Sequence, residues 1–235
     1  MPPAFEVLSL QEQGAVAFVD VRWPAPHGSL SERLLADLEA LVTHLEDEGR
    51  ASIVVFRDLS AGTTPAAAPK PEINQCRRWE NLLVRIDRLA VVTIAVIDGT
   101  CERFCAQLAI ACDHRVATAR SEFYMPEVKE GYLPGMCTFR LTKFIGLARA
   151  RRVIFTGARF KAAQATEWGL VDVCCDAGDA ERALKGLIDE LSPVDRTVIQ
   201  LARRLLNESF ATSFEDAIGN FLAAQHRCFG KGGEK

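Results

Sequence analysis

Apolar and polar residues alternate over residues 5–10 and again over 15–21, with Gln11-Glu12-Gln13-Gly14 between them, a pattern that predicts two strands joined as a hairpin. Pro24 and Pro26 then break the chain, and Ser29 or Ser31 can cap a helix. Leu30, Leu34, Leu35, Leu38, Leu41, Val42 and Leu45 recur at helical spacing as far as Gly49, which predicts an amphipathic helix. A short buried strand is expected over 53–56, and residues 60–71 are too rich in small residues and proline to be regular. Trp79, Leu82, Leu83, Ile86 and Leu89 mark a second amphipathic helix, and residues 91–97 an almost wholly apolar strand ending in Asp98-Gly99.

Beyond that strand, an apolar helix is expected over 106–112, short extended pieces over 115–117 and 122–123, and a turn at Leu133-Pro134-Gly135. Helices are predicted over 147–155, 161–168, 180–191, 194–206 and 214–229, interrupted by a strand over 170–173. Strands alternating with helices point to an α/β fold. No linker divides the chain, and residues 230–235 are expected to be a disordered tail.

The 235 residues carry 28 Lys plus Arg against 31 Asp plus Glu, a formal charge of −3. That balance argues against a nucleic-acid or anionic-membrane partner, since either needs a concentrated basic face. The N-terminus has neither the basic start nor the apolar core of a signal peptide, and no later run suits a bilayer, so a cytoplasmic protein is expected. Eight cysteines scattered through apolar stretches read as reduced, mostly buried thiols. The phosphate-binding patterns G-x-G-x-x-G and G-x-x-x-x-G-K-[ST] are both absent.

Ala95-Val96-Ile97-Asp98-Gly99, Leu108-Ala109-Ile110-Ala111-Cys112-Asp113, Phe123-Tyr124-Met125-Pro126-Glu127 and Gly131-Tyr132-Leu133-Pro134-Gly135 together resemble the central signature of the crotonase (enoyl-CoA hydratase/isomerase) superfamily. The similarity continues through Arg140-Leu141, Gly146, Thr156-Gly157, Ala162-Ala163-Gln164-Ala165 and Gly169-Leu170-Val171-Asp172. Trp79-Glu80, Pro134-Gly135-Met136 and the basic run from Arg149 to Arg152 look most like the hydratase-like auxiliary enzymes of dihydroxyphenylglycine and related polyketide pathways. The resemblance implies an α/β crotonase spiral of ββα turns over residues 1–190 and C-terminal helices over 191–229 that join copies into a homotrimer or dimer of trimers. It also implies an acyl-CoA or acyl-carrier-protein thioester as substrate, with no cofactor beyond coenzyme A.

By the same resemblance, two backbone N–H groups stabilise an enolate-like oxyanion. They fall at Thr63, within Ala61-Gly62-Thr63-Thr64, and at Phe104, where a helix N-terminus adds its positive end. The family usually has glycines where this chain has Arg103-Phe104-Cys105. Of the two glutamates that hydratases place around a water, the first position is Gln107 and the second Glu127. Glutamine can hold a water or a substrate oxygen but takes no proton, whereas one buried glutamate suffices for isomerisation or dehydration.

Glu102 is a reserve acid or base, although its adjacency to Arg103 reads as a solvated loop. Cys101, Cys105, Cys112 and His114 lie close in sequence, yet their spacing favours core thiols over a metal site. Cys105, at a helix start, could have a lowered pKa. Tyr124 and Tyr132 could orient a carbonyl or simply pack. Ala61, Gly62, Lys70 and Tyr132 are candidate substrate or coenzyme A contacts, and Lys143, Arg149, Arg151 and Arg152 are either a phosphate or carrier-protein surface or a solvated helix face. The function so expected is an acyl-thioester lyase or isomerase, with a non-catalytic partner subunit, a thioesterase and a decarboxylase as alternatives on the same fold.

Overall fold

A computed structural model describes residues 3–24, 28–47, 49–60 and 69–230. Nine strands and eight helices follow one another among them: β1 (Leu8–Gln13), β2 (Val16–Val21), α1 (Glu32–Asp47), β3 (Ile53–Arg57), α2 (Ile73–Arg88), β4 (Val92–Ile97), β5 (Thr100–Glu102), α3 (Phe104–Ala111), β6 (His114–Thr118), β7 (Glu122–Tyr124), α4 (Cys137–Thr156), β8 (Phe160–Lys161), α5 (Ala162–Glu167), β9 (Val173–Cys175), α6 (Ala180–Leu191), α7 (Arg196–Glu208) and α8 (Phe214–Gly230). A six-stranded sheet has the order β1-β2-β3-β4-β6-β9, antiparallel only between β1 and β2, and a three-stranded sheet has the order β5-β7-β8.

The largely apolar sequences of β3 and β4, interrupted inside only by Thr93, follow from burial on both faces. Val54, Phe56, Ala95 and Ile97 belong to the main core with α1, α2 and α3, whereas Ile53, Val55, Val92 and Ile94 pack on Leu184 of α6. Each fully buried aliphatic side chain in these layers contributes about 1.5–3 kcal/mol. Helix α1 begins where the Ser31 hydroxyl accepts from the Leu34 N–H at 3.1 Å, and α7 where the Asp195 carboxylate accepts from Thr197 and Val198.

Several expectations are corrected. The first strand is not 5–10 but runs on through Gln13, and the turn falls at Gly14. Leu170 and Val171 are not a strand: their N–H groups both bond to the Ala165 carbonyl in the turn after α5, and β9 starts at Val173. Helix α4 begins ten residues before the predicted start, and Gly146 (φ 76°, ψ 158°) kinks it into two halves. Cys174 is exposed, against the expectation of buried thiols. Gly230 belongs to α8; the rest of the expected tail, 231–235, lies outside the described residues. Among the described residues no helix is long and apolar enough to cross a membrane.

Candidate active site

The parallel pairing of β5 with β7 sets the site. Cys101 lies opposite Phe123 and Glu102 opposite Tyr124, so the next segments leave the small sheet side by side, with the Arg103 N–H bonded to the Tyr124 carbonyl at 3.2 Å. One segment enters α3, whose first turn carries Gln107. The other forms the turn that carries Glu127. The 20-residue separation of the two thus becomes a contact: Gln107 Nε2 donates to Glu127 Oε1 at 3.0 Å.

The contact extends to α2. Trp79 Nε1 donates to Gln107 Oε1 at 2.9 Å, and the Trp79 ring meets Phe104 edge-on at 5.3 Å. Trp79, Gln107 and Glu127 are all essentially inaccessible to solvent. Burial pushes the Glu127 carboxyl up to about 7, the Gln107 donor and a backbone donor opposing that rise only partly. Its Oε2 is buried with no hydrogen-bond partner.

A cavity of about 330 Å³ opens beside this chain, lined by Trp79, Glu80, Phe104, Gln107, Tyr132 and Leu133, with Pro71, Ile73, Cys76 and Gly135 completing the wall. Glu127 sits one layer behind that wall, in contact with Gln107. Gly135 (φ 50°) forms part of the floor because any Cβ there would collide with the Glu80 carboxylate and press on Gln107. Glu80 in turn accepts from the Met136 N–H at 2.8 Å at the head of α4 and pairs with Arg140. The Tyr132 hydroxyl is buried beside the Glu127 and Glu130 carboxylates and stays protonated, its pKa raised first by burial. Lys70 is exposed, and its Nζ lies over Gly131.

Three expectations change here. Glu102 and Arg103 are not a solvated loop: they are 8% and 5% exposed, and Arg103 pairs with both Glu102 and Glu130. Glu102 consequently does not reach the cavity. The Cys105 thiol is driven well above its usual range by burial rather than lowered by the helix, and Cys101 and Cys112 are likewise raised. The Phe104 N–H, expected to be free for a substrate oxygen, donates to the Gly28 carbonyl at 3.3 Å. Thr63, Ala61 and Gly62 lie outside the described residues. Of the basic run, Lys143 covers the Phe139 and Phe210 rings and Arg149 the Trp168 ring. Among the described residues no cluster of His, Cys, Asp or Glu could hold a metal ion.

Sequence reasoning did not single out Trp79 as a partner of Gln107. The only available signal was that a tryptophan on an apolar helix face needs an acceptor for its N–H once buried.

The family model described as enoyl-CoA hydratase/isomerase matches residues 11–234, nearly the whole chain. The chain belongs to the enoyl-CoA hydratase/isomerase family. An enoyl-CoA-hydratase of Amycolatopsis orientalis is 32% identical over 201 residues, covering 84% of this chain and 90% of that protein. A short-chain-enoyl-CoA hydratase of Clostridium acetobutylicum is 23% identical over 230 residues, covering 94% and 88%. The solved structure of enoyl-CoA hydratase subunit I from Geobacillus kaustophilus superposes with a TM-score of 0.83 at 24% identity, over 96% of this chain and 91% of that one. This enzyme of the enoyl-CoA hydratase/isomerase family therefore has the α/β crotonase fold, with mixed sheets and C-terminal helices.

Proposed function

We propose that the protein is a single-carboxyl acyl-thioester lyase or isomerase acting on a polyketide-like acyl-CoA. Glu127 removes the proton next to the thioester carbonyl and returns it elsewhere on the same molecule. In a 3-enoyl thioester, delivery to the fourth carbon moves the double bond into conjugation between the second and third carbons; in a 3-hydroxyacyl thioester, delivery to the hydroxyl on the third carbon expels water. The observation that carries this reading is a buried carboxyl poised near neutrality whose neighbour is an amide. A group with a pKa of about 7 is populated in both protonation states at neutral pH, so it can act first as base and then as acid. Two-carboxylate hydration finds no second proton carrier at Gln107, which serves instead to orient water or substrate.

The Phe104 N–H, at the positive end of α3, holds the thioester oxygen once that oxygen replaces the Gly28 carbonyl, whose bond is long and easily exchanged. Thr63 supplies the second N–H, Ala61 and Gly62 flank the thioester, and Lys70 meets coenzyme A phosphates. The aromatic and aliphatic walls of the cavity suit a flat apolar acyl group lying against Tyr132. Glu102, tied to Arg103 away from the cavity, has no part in the proton path.

The test is proton exchange in D2O. Incubated with a saturated or 3-hydroxy acyl-CoA, the native protein is expected to exchange the proton next to the carbonyl, and with the hydroxy compound to produce the absorbance of a conjugated enoyl thioester. Absence of both, with coenzyme A and carrier-protein thioesters alike, overturns the reading.

Assembly is part of the same proposal: residues 1–190 form the catalytic core and 191–229 join copies into a trimer or dimer of trimers. Supporting it, α7, α8 and the turn between them leave Leu206, Phe210, Phe214, Ile218, Phe221 and Leu222 at least 45% exposed, a continuous stretch of apolar positions that a lone copy would leave in water. Sedimentation at micromolar concentration is expected to give three copies or a multiple of three. A stable monomer would count against it.

A further inference from the structure

We propose that Trp79 is a positioning residue: its indole N–H fixes which way round the Gln107 amide sits, and thereby which oxygen of Glu127 carries the transferable proton. The inference rests on the reading of Glu127 as proton carrier and goes one step deeper into the same site. An indole nitrogen can only donate, whereas the two ends of an amide have the same shape and opposite hydrogen-bonding sense. With Trp79 Nε1 at 2.9 Å, the carbonyl end of Gln107 is held toward α2, and its NH2 end has to face Glu127 Oε1 at 3.0 Å. Turning the amide over would set donor against donor at one end and, with Glu127 ionised, acceptor against acceptor at the other. Both mismatches would be buried, where they are most costly.

The consequence falls on Glu127. Because Oε1 already accepts from Gln107, the acid proton resides on Oε2, the oxygen that has no partner. The proton therefore enters and leaves through one defined oxygen. Gln107 acts here less as a holder of water than as the link that transmits the tryptophan's donor to the carboxyl.

The charged and titratable groups around Glu127 are Arg103 and Glu130, joined as an ion pair, and Tyr132 and Cys137, both kept protonated by burial. Glu102 is tied to Arg103, and Glu80, on the cavity wall, to Arg140. A signal that follows Glu127 through the chain of contacts must disappear when Glu127 itself is removed.

The test uses the full chain without substrate. The three tryptophans give three indole N–H resonances, assigned by single Trp→Phe variants. The Trp79 resonance is expected to titrate with a midpoint near 7. That titration should vanish in Glu127→Gln, and also in Gln107→Met, which leaves both end groups in place but cuts the link. In Trp79→Phe the Glu127 carboxyl carbon should titrate about half a pH unit or more higher, because Gln107 is no longer obliged to donate to the ionised form. Combining Trp79→Phe with Gln107→Met should raise it no further than the larger single effect. If Trp79→Phe does not fold, the native titration and Gln107→Met still decide the matter. A Trp79 resonance that stays flat while Glu127 titrates, or that keeps its titration in Gln107→Met, overturns the proposal. None of these readouts needs turnover, so a protein inert toward every acyl thioester would sink the proposed function and leave the positioning role to be judged separately.

Discussion

Replacing Glu127 by glutamine is expected to lower the chemical step by about 10²-fold or more while making the protein harder to unfold above pH 7. The first half is the lower range for loss of a general acid or base. The second half follows from the sign of the pKa shift. Glu127 is raised from about 4.5 to about 7, so the folded state holds this proton more tightly than the unfolded chain. Its contribution favours folding below about pH 4.5, is lost progressively as pH rises through 7, and is absent above that. The loss is about 3 kcal/mol, from roughly 1.4 kcal/mol per pKa unit. Glutamine has the same shape, keeps an oxygen for Gln107 Nε2 and does not ionise. Unfolding curves of native protein and Glu127→Gln should therefore nearly coincide at pH 4.5 and separate as pH rises, with the variant the more stable. Curves that stay parallel across that interval would mean that the carboxyl is not held near neutrality by burial, and full turnover in the variant would remove it from the proton path.

The largest expected effect on stability lies at Arg115, 1% exposed at the start of β6. Its guanidinium donates to the carbonyls of Ala109 and Cys112 at the end of α3, to Asp113 and to Leu170, and it pairs with Asp172. It also lies over the Phe144 ring at 4.6 Å. A positive charge at the C-terminal end of α3 matches the helix dipole, and the five acceptors drawn together come from two separate parts of the chain, residues 109–113 and 170–172. Arg115→Met fills much of the volume but leaves those acceptors unpaired. A loss of about 3–5 kcal/mol is expected, as for breaking a buried ion pair by removing one partner. For a chain of this size that lowers the melting temperature by roughly 6–20 °C. A change below about 1 kcal/mol in denaturant unfolding would show that water or rearranged neighbours replace the guanidinium. Since α3 carries Gln107 and Phe104, loosening its far end should also reach the site.

Local periodicity and family spacing were legible in the order of the residues. Helix α6 falls on the predicted residues and α1 and β4 within two, whereas α2 begins at Ile73, six residues before Trp79, the first residue that marked it. The crotonase fold follows from the motifs around Asp98, Asp113, Glu127 and Gly135, as the comparison structures agree. Contributions from distant parts of the chain were illegible. Leu170 and Val171 are apolar because they pack in a turn, which no alternation rule distinguishes from a strand. The first half of α4 starts under a carboxylate supplied from Glu80, 56 residues earlier. Glu102 and Arg103 looked like a solvated pair because their second counter-charge, Glu130, arrives from beyond β7. The meeting of Gln107 with Glu127 matched the family's spacing, whereas the third member of that contact, Trp79, comes from a different helix and has no sequence interval that announces it.

Arg103 keeps a backbone conformation, φ 51° and ψ −126°, that suits glycine, at a cost of order 1–3 kcal/mol. Its side chain is at once the counter-charge of two carboxylates, Glu102 buried and Glu130 largely so. This makes the position entrenched. A change to glycine alone would relieve the backbone and strand two acids in a poorly solvated place, while loss of the acids alone would leave a buried cation on a strained turn. Neither single step is open without a loss, so the arginine and its two acids can be exchanged only together. The chain's departure from the glycine-rich turn at the head of α3 is thereby locked in by residues that never touch the cavity.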